Sequence, residues 1–209
     1  MLKRAFDIVL STIGLVVLSP VLTLAAILVK CDSPGPVLFG QDRVGRHFRK
    51  FRLFKIRTMC VNNSDIAITC GTDPRITRVG KILRDLKIDE LPQLWNVLRG
   101  DMSFVGPRPE VPRYTRIFQD DYAQVLTVRP GITSAASLKY RDEAEILGRV
   151  EDPMDYYVRV LLPDKLRLEK EYISRRSFRN DLSLILATLQ ACIQSSELLP
   201  SDYVRMPEQ

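Results

Sequence analysis

The sequence predicts a mainly helical α+β protein with one small β-hairpin and an apolar helical segment at the N-terminus. Three observations predict this class. Residues 8–29 carry no charge, apolar and basic residues interleave around Gly45, and later apolar positions recur at helical spacing. The 209 residues are enough for one substantial core. We expect a membrane segment over residues 1–32 and a folded domain over residues 33–209 that form one unit.

The uncharged run over residues 8–29 is long enough to cross a bilayer core, which takes about 20 helical residues. A secretory signal peptide is the main alternative, but Asp7 interrupts the positive region before the run and no small-x-small cleavage site follows it. Bases flank both ends, so the positive-inside tendency draws both toward the cytoplasm. At Ser19 and Pro20 the proline removes a backbone donor, and the serine hydroxyl can bond a freed carbonyl. These residues favour equally a kinked transmembrane helix and a helix that re-enters the same face.

The elements that follow are predicted from turn residues and periodicity. After the turn SPGP, we expect a β-hairpin with strands over residues 37–44 and 48–59, then a polar loop over residues 60–74. A mixed helix and loop region surrounds Arg129. The apolar segment over residues 181–193 is too short to span a membrane and is predicted either as a core helix or as an interfacial helix. The remaining predicted helices cover residues 77–86, 89–99 and 161–178.

The charge balance indicates anionic partners. Lys and Arg number 31 against 25 acids, for a net charge of +6, which suits nucleic acid, phospholipid headgroups or phosphorylated small molecules. The four cysteines are scattered without a CxxC pair, which favours a reducing compartment over disulfides or zinc. His47 is the only histidine and lies in a predicted turn, where we expect it to be solvated. Any catalysis would therefore depend on carboxylates, arginines or a metal.

Two adjacent acids, Asp89 and Glu90, precede the predicted helix over residues 89–99. Asp89 has the position of an N-cap, and Pro92 is tolerated in a first turn, so helix capping alone explains this pair well. Basic residues surround it in sequence, however, and two acids among bases could hold a divalent metal and attack phosphorus. An aspartate can be the nucleophile in such chemistry.

The chain resembles the bacterial sugar transferase family, the small monotopic phosphoglycosyl transferases. The resemblance covers nearly the whole chain. Its most specific motif is IDELPQLWNVLRGDMSFVGPRP, and the others are KRAFDIVLS, LSPV, PGPVLFGQDRVG, FKIRTM, DPRITRVGKILR, VRPGIT and SFRNDL. In place of the Gly-x-Ala-Gln-x-Asn run with which many members continue the RPGIT loop, this chain has SAASLKYRDEAEIL from Ser134.

The resemblance implies a catalytic domain that transfers a sugar 1-phosphate from a UDP-sugar to polyprenol (undecaprenyl) phosphate and releases UMP. It implies a two-step route in which Asp89 is the nucleophile and Glu90 helps to bind Mg²⁺. The implied phosphate-binding and substrate-binding residues are Lys55, Arg84, Arg108 and Arg129. The departure after the RPGIT loop weakens the assignment of Arg129.

The resemblance also implies that the membrane helix breaks at Ser19 and Pro20 and re-enters. The fold class thus becomes α+β, a mainly helical catalytic domain with a small β-hairpin and an N-terminal re-entrant membrane helix. We expect the bacterial inner membrane as the location, with the catalytic domain on the cytoplasmic face. Membrane lipid is an expected partner and nucleic acid is not, and a homo-oligomer remains among the options.

Two other functions compete with the transferase. A membrane-tethered basic module could bind anionic lipid or nucleic acid through the run RVGRHFRKFRLFKIR without any chemistry. A phosphohydrolase could use the same acid pair on lipid pyrophosphates. The identity of the sugar and the glycoconjugate pathway do not follow from the sequence.

Overall fold

A computed structural model describes residues 2–60 and 73–193, so most of the predicted polar loop over residues 60–74 lies outside the described residues. The predicted α+β class is confirmed, because helices dominate and the strands are few and short. The strands are β1 Leu38–Val44, β2 Lys50–Ile56, β3 Ser103–Val105 and β4 Gly131–Thr133. The helices are α1 Leu2–Val17, α2 Ser19–Asp32, α3 Arg78–Asp85, α4 Gln93–Arg99, α5 Pro112–Ile117, α6 Gln119–Val125, α7 Ala135–Lys139, α8 Glu143–Gly148, α9 Pro153–Tyr156, α10 Leu162–Ser174 and α11 Phe178–Ile193.

The predicted hairpin is confirmed, with slightly shorter strands. β1 and β2 pair antiparallel from Leu38 opposite Ile56 to Val44 opposite Lys50. A short 3-10 turn, Arg46–Phe48, joins them, and His47 lies in it at φ 55° with its side chain exposed. The prediction of a solvated turn histidine is therefore confirmed.

A second, parallel strand pair was not predicted from the sequence. Ser103 of β3 pairs with Gly131 of β4, and Val105 pairs with Thr133. Three residues are too few to show a strand periodicity. The pair also needs a close backbone approach at Gly131, where a Cβ atom would lie 2.2 Å from the backbone nitrogen of Gly106.

The N-terminal apolar segment forms two helices that meet at the predicted break. α1 and α2 are bent by 57° relative to each other. The Ser19 hydroxyl donates to the Val16 carbonyl at 2.7 Å, as expected for a serine that satisfies a carbonyl freed beside Pro20. Within the described ranges no single helix has the length and apolarity to cross a bilayer, whereas α1 and α2 pass that test as a bent pair.

Both ends of this bent pair are fastened to the folded domain. At the start of α1, Arg4 donates to the carbonyls of Val97 and Leu98 in α4, at 2.6 and 2.9 Å. The carboxylate of Asp7, which is almost fully buried, accepts from the Phe104 amide in β3 at 3.1 Å. At the end of α2, the Asp32 carboxylate accepts from the backbone N–H of Val79 in the first turn of α3, at 3.1 Å.

Three clusters of buried apolar residues hold the domain together. The largest lies under α5, α6 and α10 and includes Tyr114, Leu147 and Leu162. A second cluster joins α2, β2 and α3, and it includes Ile56 and Leu83. The third cluster, Leu53, Val97 and Met102, joins β2, α4 and β3. The last two clusters position β2, α3 and α4, and the acid pair lies between α3 and α4.

α11 divides into a packed face and an exposed face. On the packed face, Thr188 hydrogen-bonds Thr133 of β4, and the buried Asp181 forms an ion pair with Lys3 at 2.7 Å. The exposed apolar side chains on the other face are those of Phe178, Leu182, Leu186 and Leu189. Residues 178–193 are therefore neither a wholly buried core helix nor detached from the domain.

Candidate active site

The acid pair lies in a 3-10 turn, Ile88–Glu90, between α3 and α4. The prediction that Asp89 is the N-cap of a helix over residues 89–99 is wrong. α4 begins at Gln93 after Pro92, and no side chain caps it. Until that point the backbone makes i to i+3 bonds, such as Leu91 N–H to the Ile88 carbonyl at 3.2 Å. Helix capping therefore does not explain why residue 89 is an aspartate.

Glu90 is the centre of a cluster with two cations. Its Oε1 atom accepts from Lys55 Nζ at 2.7 Å and from Arg108 Nη2 at 2.7 Å. Burial alone would raise the pKa of Glu90, but the charges of Arg108 and Lys55 hold that pKa well below its usual range. The glutamate thus remains ionised, and β2 and the GPRP loop are joined at this carboxylate.

Asp89 is buried, with 6 % of its surface exposed, and the neighbouring charges act on it without a side-chain hydrogen bond among the described residues. Burial raises its pKa, the charge of Lys55 opposes that rise, and the charge of Glu90 reinforces it. A carboxylate that is poorly solvated and unpaired is a better nucleophile than one held by several donors. Asp89 and Glu90 are therefore adjacent carboxylates with opposite pKa shifts.

Arg84 approaches the acid pair from α3. Its Nε donates to the Thr58 hydroxyl at 2.8 Å, and the charge of Asp89 opposes the effect of burial, which lowers the Arg84 pKa. α3 lies close enough for this contact because residue 80 is glycine, where a Cβ atom would come within 2.1 Å of the Thr58 carbonyl oxygen. The structure thus brings Lys55, Arg84 and Arg108 to the acid pair, as the sequence predicted.

Arg129 does not join this cluster. Its Nε donates to the carbonyl of Gly100, at the other end of α4, at 2.8 Å. It lines a cavity with Lys3 and Arg4, near the start of α1. The assignment of Arg129 to substrate binding stays a prediction.

Asn96 is a positioning residue that the sequence reasoning missed. Its buried side chain accepts from the Phe54 amide at 3.1 Å and donates to the Arg52 carbonyl at 2.8 Å. These bonds join α4 to β2 next to Lys55. An asparagine inside the apolar stretch LWNVL was the available signal, since a buried amide needs hydrogen-bond partners.

Glu169 of α10 is a second residue that was missed. It is 4 % exposed, its Oε1 accepts from the Arg108 backbone N–H at 3.4 Å, and its Oε2 is buried without a partner in the described residues. Burial raises the pKa of Glu169 to about 7. The carboxyl lies directly behind the loop that carries Arg108, but no sequence pattern connects residues so far apart.

Three of the seven lysines and arginines in the run RVGRHFRKFRLFKIR are engaged inside the protein. Arg43 bonds Glu110 and the Pro109 carbonyl, and the buried Arg57 bonds Ser33 and the Pro36 carbonyl. Lys55 is paired with Glu90. These three bases support the hairpin and the site, whereas Arg46, Arg49, Lys50 and Arg52 of the same run are exposed.

The donor set fits a magnesium ion that arrives with a diphosphate. Mg²⁺ is usually bound by one or two carboxylates together with substrate phosphates. The turn supplies two carboxylates, and the residues that the structure describes contain no group of three or more acidic, histidine or cysteine ligands. Water and substrate phosphate oxygens would complete the coordination shell of an ion held by these two carboxylates.

Comparisons with known proteins identify relatives over almost the whole chain. The family model described as "Bacterial sugar transferase" matches residues 1–195. An undecaprenyl-phosphate glucose phosphotransferase of Komagataeibacter xylinus is 41 % identical over 197 residues, 90 % of this chain and 35 % of the relative. A UDP-glucose:undecaprenyl-phosphate glucose-1-phosphate transferase of Caulobacter vibrioides is 37 % identical over 91 % of this chain and 69 % of the relative. The exopolysaccharide production protein PSS of Rhizobium leguminosarum bv. phaseoli is 45 % identical over 66 % of this chain and 74 % of the relative.

The chain thus spans about a third of the length of the first of these relatives. The match includes the acid pair, the hairpin and the bent N-terminal helices, since all lie within residues 1–195. This chain belongs to the bacterial sugar transferase family.

Proposed function

We propose that this chain transfers a sugar 1-phosphate from a UDP-sugar to undecaprenyl phosphate and so initiates polysaccharide or glycoconjugate synthesis. In the first step a carboxylate oxygen of Asp89 attacks the phosphorus that bears the sugar. The bond from this phosphorus to the bridging oxygen breaks, and UMP leaves with that oxygen. In the second step a phosphate oxygen of the polyprenol attacks the same phosphorus, and the Asp89 carboxylate is released.

The observation that carries this proposal is the contrast between the two acids. Glu90 is ionised and held by Lys55 and Arg108, whereas Asp89 is buried without a hydrogen-bond partner among the described residues. A nucleophile must be free to form a bond, while a group that organises cations must be fixed. The printed names of the relatives, which join UDP-glucose or glucose phosphate to undecaprenyl phosphate, support the same reaction class.

The surrounding cations suit the charge of a diphosphate. Arg108 has a second guanidinium nitrogen 3.5 Å from Glu90 Oε2, and its side chain is 41 % exposed, so it can turn toward a phosphate. The charges of Lys55 on β2 and Arg84 on α3 both act on Asp89. Phosphoryl transfer depends mainly on positioning and on neutralising charge, which these three side chains can provide.

Glu90, with Asp89 next to it, would hold the Mg²⁺. When bound, the ion would neutralise part of the diphosphate charge. Lys55 and Arg108 keep Glu90 ionised before the ion arrives, because their charges lower its pKa. The chain's own cations thus prepare the carboxylate that the metal requires.

The bent pair of helices would be re-entrant, with the domain on the cytoplasmic face of the bacterial inner membrane. Both ends of the pair are bonded to the same domain, α1 through Arg4 and Asp7 and α2 through Asp32. With a bend of 57°, two symmetric arms would reach only about 10 Å below a plane through their ends, less than half of a core of about 30 Å. This geometry would place the acid pair near the leaflet that contains the polyprenol phosphate.

The proposal is tested with the full chain purified in detergent. We expect UMP release from one member of a UDP-sugar panel, with turnover strictly dependent on undecaprenyl phosphate. With the UDP-sugar alone, at most one UMP per protein should appear, together with a sugar-phosphate adduct on Asp89 by mass spectrometry. Asp89→Asn should abolish both. Asp85→Asn is the matched control, since Asp85 is an exposed acid at the end of α3.

Several results would count against the proposal. Continued UMP release without polyprenol phosphate would indicate a hydrolase, and release of phosphate from lipid pyrophosphates would favour the phosphohydrolase. Normal turnover by Asp89→Asn would exclude Asp89 as the nucleophile. Binding of anionic lipid with no UMP from any sugar nucleotide would favour the non-catalytic basic module.

A further inference from the structure

A cavity of about 300 Å³ lies at the end of α4 away from the acid pair. The start of α1, strand β3, the segment before β4 and the end of α10 surround it. The cationic residues that line it are Lys3, Arg4, Arg46, Arg129 and Arg176. Since α4 has seven residues, the cavity is separated from the acid pair by about 10 Å of helix. It is also small for a whole nucleotide sugar, because ligand pockets run from about 300 to 1,000 Å³.

The charge around this cavity is not balanced. In the described residues the guanidinium of Arg46 donates to the imidazole of His47, and that of Arg129 donates to a backbone carbonyl. In the described part of the chain, neither these two nor Arg176 forms an ion pair with a carboxylate. The acid that lines the cavity, Asp7, is already engaged by Ser103 and the Phe104 amide. Together with Arg4, which donates to two backbone carbonyls, four guanidinium groups around one cavity have no carboxylate partner among the described residues. Such an arrangement suits a phosphate, which arginines can bind with bidentate geometry.

The cavity borders an apolar surface made by two helices. Arg176 precedes α11 by two residues, and α11 exposes Phe178, Leu182 and Leu186. α1 exposes Val9, Ile13 and other apolar residues. Phe6 and Phe178 pack edge to face with their ring centroids 5.4 Å apart, which joins the two helices beside the cavity. A site for a charged headgroup thus continues into a surface for acyl chains.

We propose that this cavity binds the phosphate of an anionic phospholipid, whose acyl chains lie along α1 and α11. The proposal rests on the proposed membrane placement, but not on the transfer reaction. The polyprenol phosphate acceptor is a poor candidate for this cavity, because its phosphate must reach the phosphorus attached to Asp89. The bound phospholipid would fix the depth of the domain at the membrane surface.

The test measures lipid retention by the full chain in neutral detergent, using native mass spectrometry. Dioleoylphosphatidylglycerol is titrated against dioleoylphosphatidylcholine. The site variant is Arg46→Gln with Arg176→Gln, and Arg129 is left unchanged because it is a predicted substrate residue. The matched control, Arg113→Gln with Arg116→Gln, removes two exposed arginines from α5. Both variants should keep the parent's melting temperature and its UMP release in phosphatidylcholine micelles.

We expect the parent to retain one phosphatidylglycerol in preference to phosphatidylcholine. The apparent Kd should rise about 25-fold in the site variant, because each of two arginines near an anionic lipid contributes about fivefold. The control should leave the apparent Kd nearly unchanged, because Arg113 and Arg116 do not line the cavity. An equal loss in both variants would show attraction by net charge alone and would overturn the site. So would an absence of lipid preference in the parent while UMP release is intact.

Two further arms identify the source of the phosphate. If sn-glycerol 3-phosphate binds as well as the lipid, the cavity holds a soluble phosphate, and the lipid assignment is wrong. If undecaprenyl phosphate displaces phosphatidylglycerol mole for mole, the cavity belongs to the acceptor, and the assignment is again wrong. Phosphatidylglycerol retention without UMP release would leave this inference standing and overturn the transferase alone.

Discussion

Replacing Arg4 tests whether the N-terminal helix is structurally joined to the active-site helix. Arg4 donates two short hydrogen bonds to the last turn of α4, to the carbonyls of Val97 and Leu98. The Val97 carbonyl also accepts from the Gly100 N–H at 3.0 Å, whereas the Leu98 carbonyl has no backbone partner among the described residues. Arg4→Met removes both bonds while it keeps an apolar stem of similar length. We expect the domain to become less stable, because a helix end loses its donors.

The size of the effect follows from the two bonds. A hydrogen bond to a charged group contributes about 1.5–3 kcal/mol, and the guanidinium is half-buried, so the lower value applies to each. The loss is then about 3 kcal/mol. For a protein of about 200 residues, 1 kcal/mol shifts Tm by roughly 2–4 °C, which gives a decrease of about 6–12 °C.

The assay is thermal unfolding of the full chain in one neutral detergent. Arg4→Lys keeps the positive charge but can satisfy only one carbonyl at close range, so we expect about half of the loss. Arg99→Met is the matched control from α4 itself. Its guanidinium is largely exposed and lies 3.6 Å from Asp101, a surface ion pair that contributes at most about 1 kcal/mol.

Two results would refute this reasoning. A loss in Arg99→Met as large as that in Arg4→Met would mean that any arginine at this helix end matters equally. A parent-like Tm for Arg4→Lys, together with a large loss for Arg4→Met, would mean that charge alone is required. In that case Arg4 would serve membrane orientation and not the end of α4.

Three further predictions concern the metal, a buried acid and the membrane segment. Activity should vanish in a chelator and return with Mg²⁺ or Mn²⁺, and Glu90→Gln should require more metal for half-maximal turnover; full activity in the chelator would contradict this. Burial raises the pKa of Glu169 to about 7, so as pH rises this residue loses its proton in the unfolded chain before it does so in the folded protein. The free energy of unfolding should therefore fall by about 3 kcal/mol between about pH 4.5 and pH 7. Glu169→Gln should remove this decline, and an unchanged stability profile in that variant would exclude Glu169 as its source. Ser19→Ala with Pro20→Ala should allow a continuous helix of roughly 33 Å over residues 8–29. A cysteine placed at residue 2, in a background without the four native cysteines, should then be partly labelled by a membrane-impermeant reagent. Labelling of the same cysteine in a protein that keeps Ser19 and Pro20 would contradict re-entry.

The sequence predicted the site better than it predicted the local structure of the site. The family resemblance points to the acid pair and to Lys55, Arg84 and Arg108, and the fold brings these side chains together. The motif IDELPQLW was nevertheless predicted to start a helix at Asp89, whereas the chain makes a 3-10 turn there and α4 starts at Gln93. Local capping preferences could not reveal that the turn would be placed between α3 and α4, where Asp89 is buried.

The partners of the first residues of the chain could not be predicted from the sequence either. Lys3 and Arg4 were interpreted through membrane orientation, because only their charge and their position before an apolar run can be seen in a sequence. In the fold, Lys3 pairs with Asp181 and Arg4 bonds the end of α4. Those partners lie 178 and 93 residues away, beyond the range of any local pattern.

By itself, the sequence determined the helical break at Ser19 and Pro20, the hairpin and the acid pair with its bases, because each depends on residues close together in the chain or on a specific motif. Only the tertiary structure decided that Glu90 is held by cations, that Asp89 has no hydrogen-bond partner among the described residues, and that Arg129 lies at the far end of α4. The physical reason is that pKa values and hydrogen-bond partners depend on burial and on contacts between distant elements. Those contacts exist only after β2, α3 and α4 have packed together.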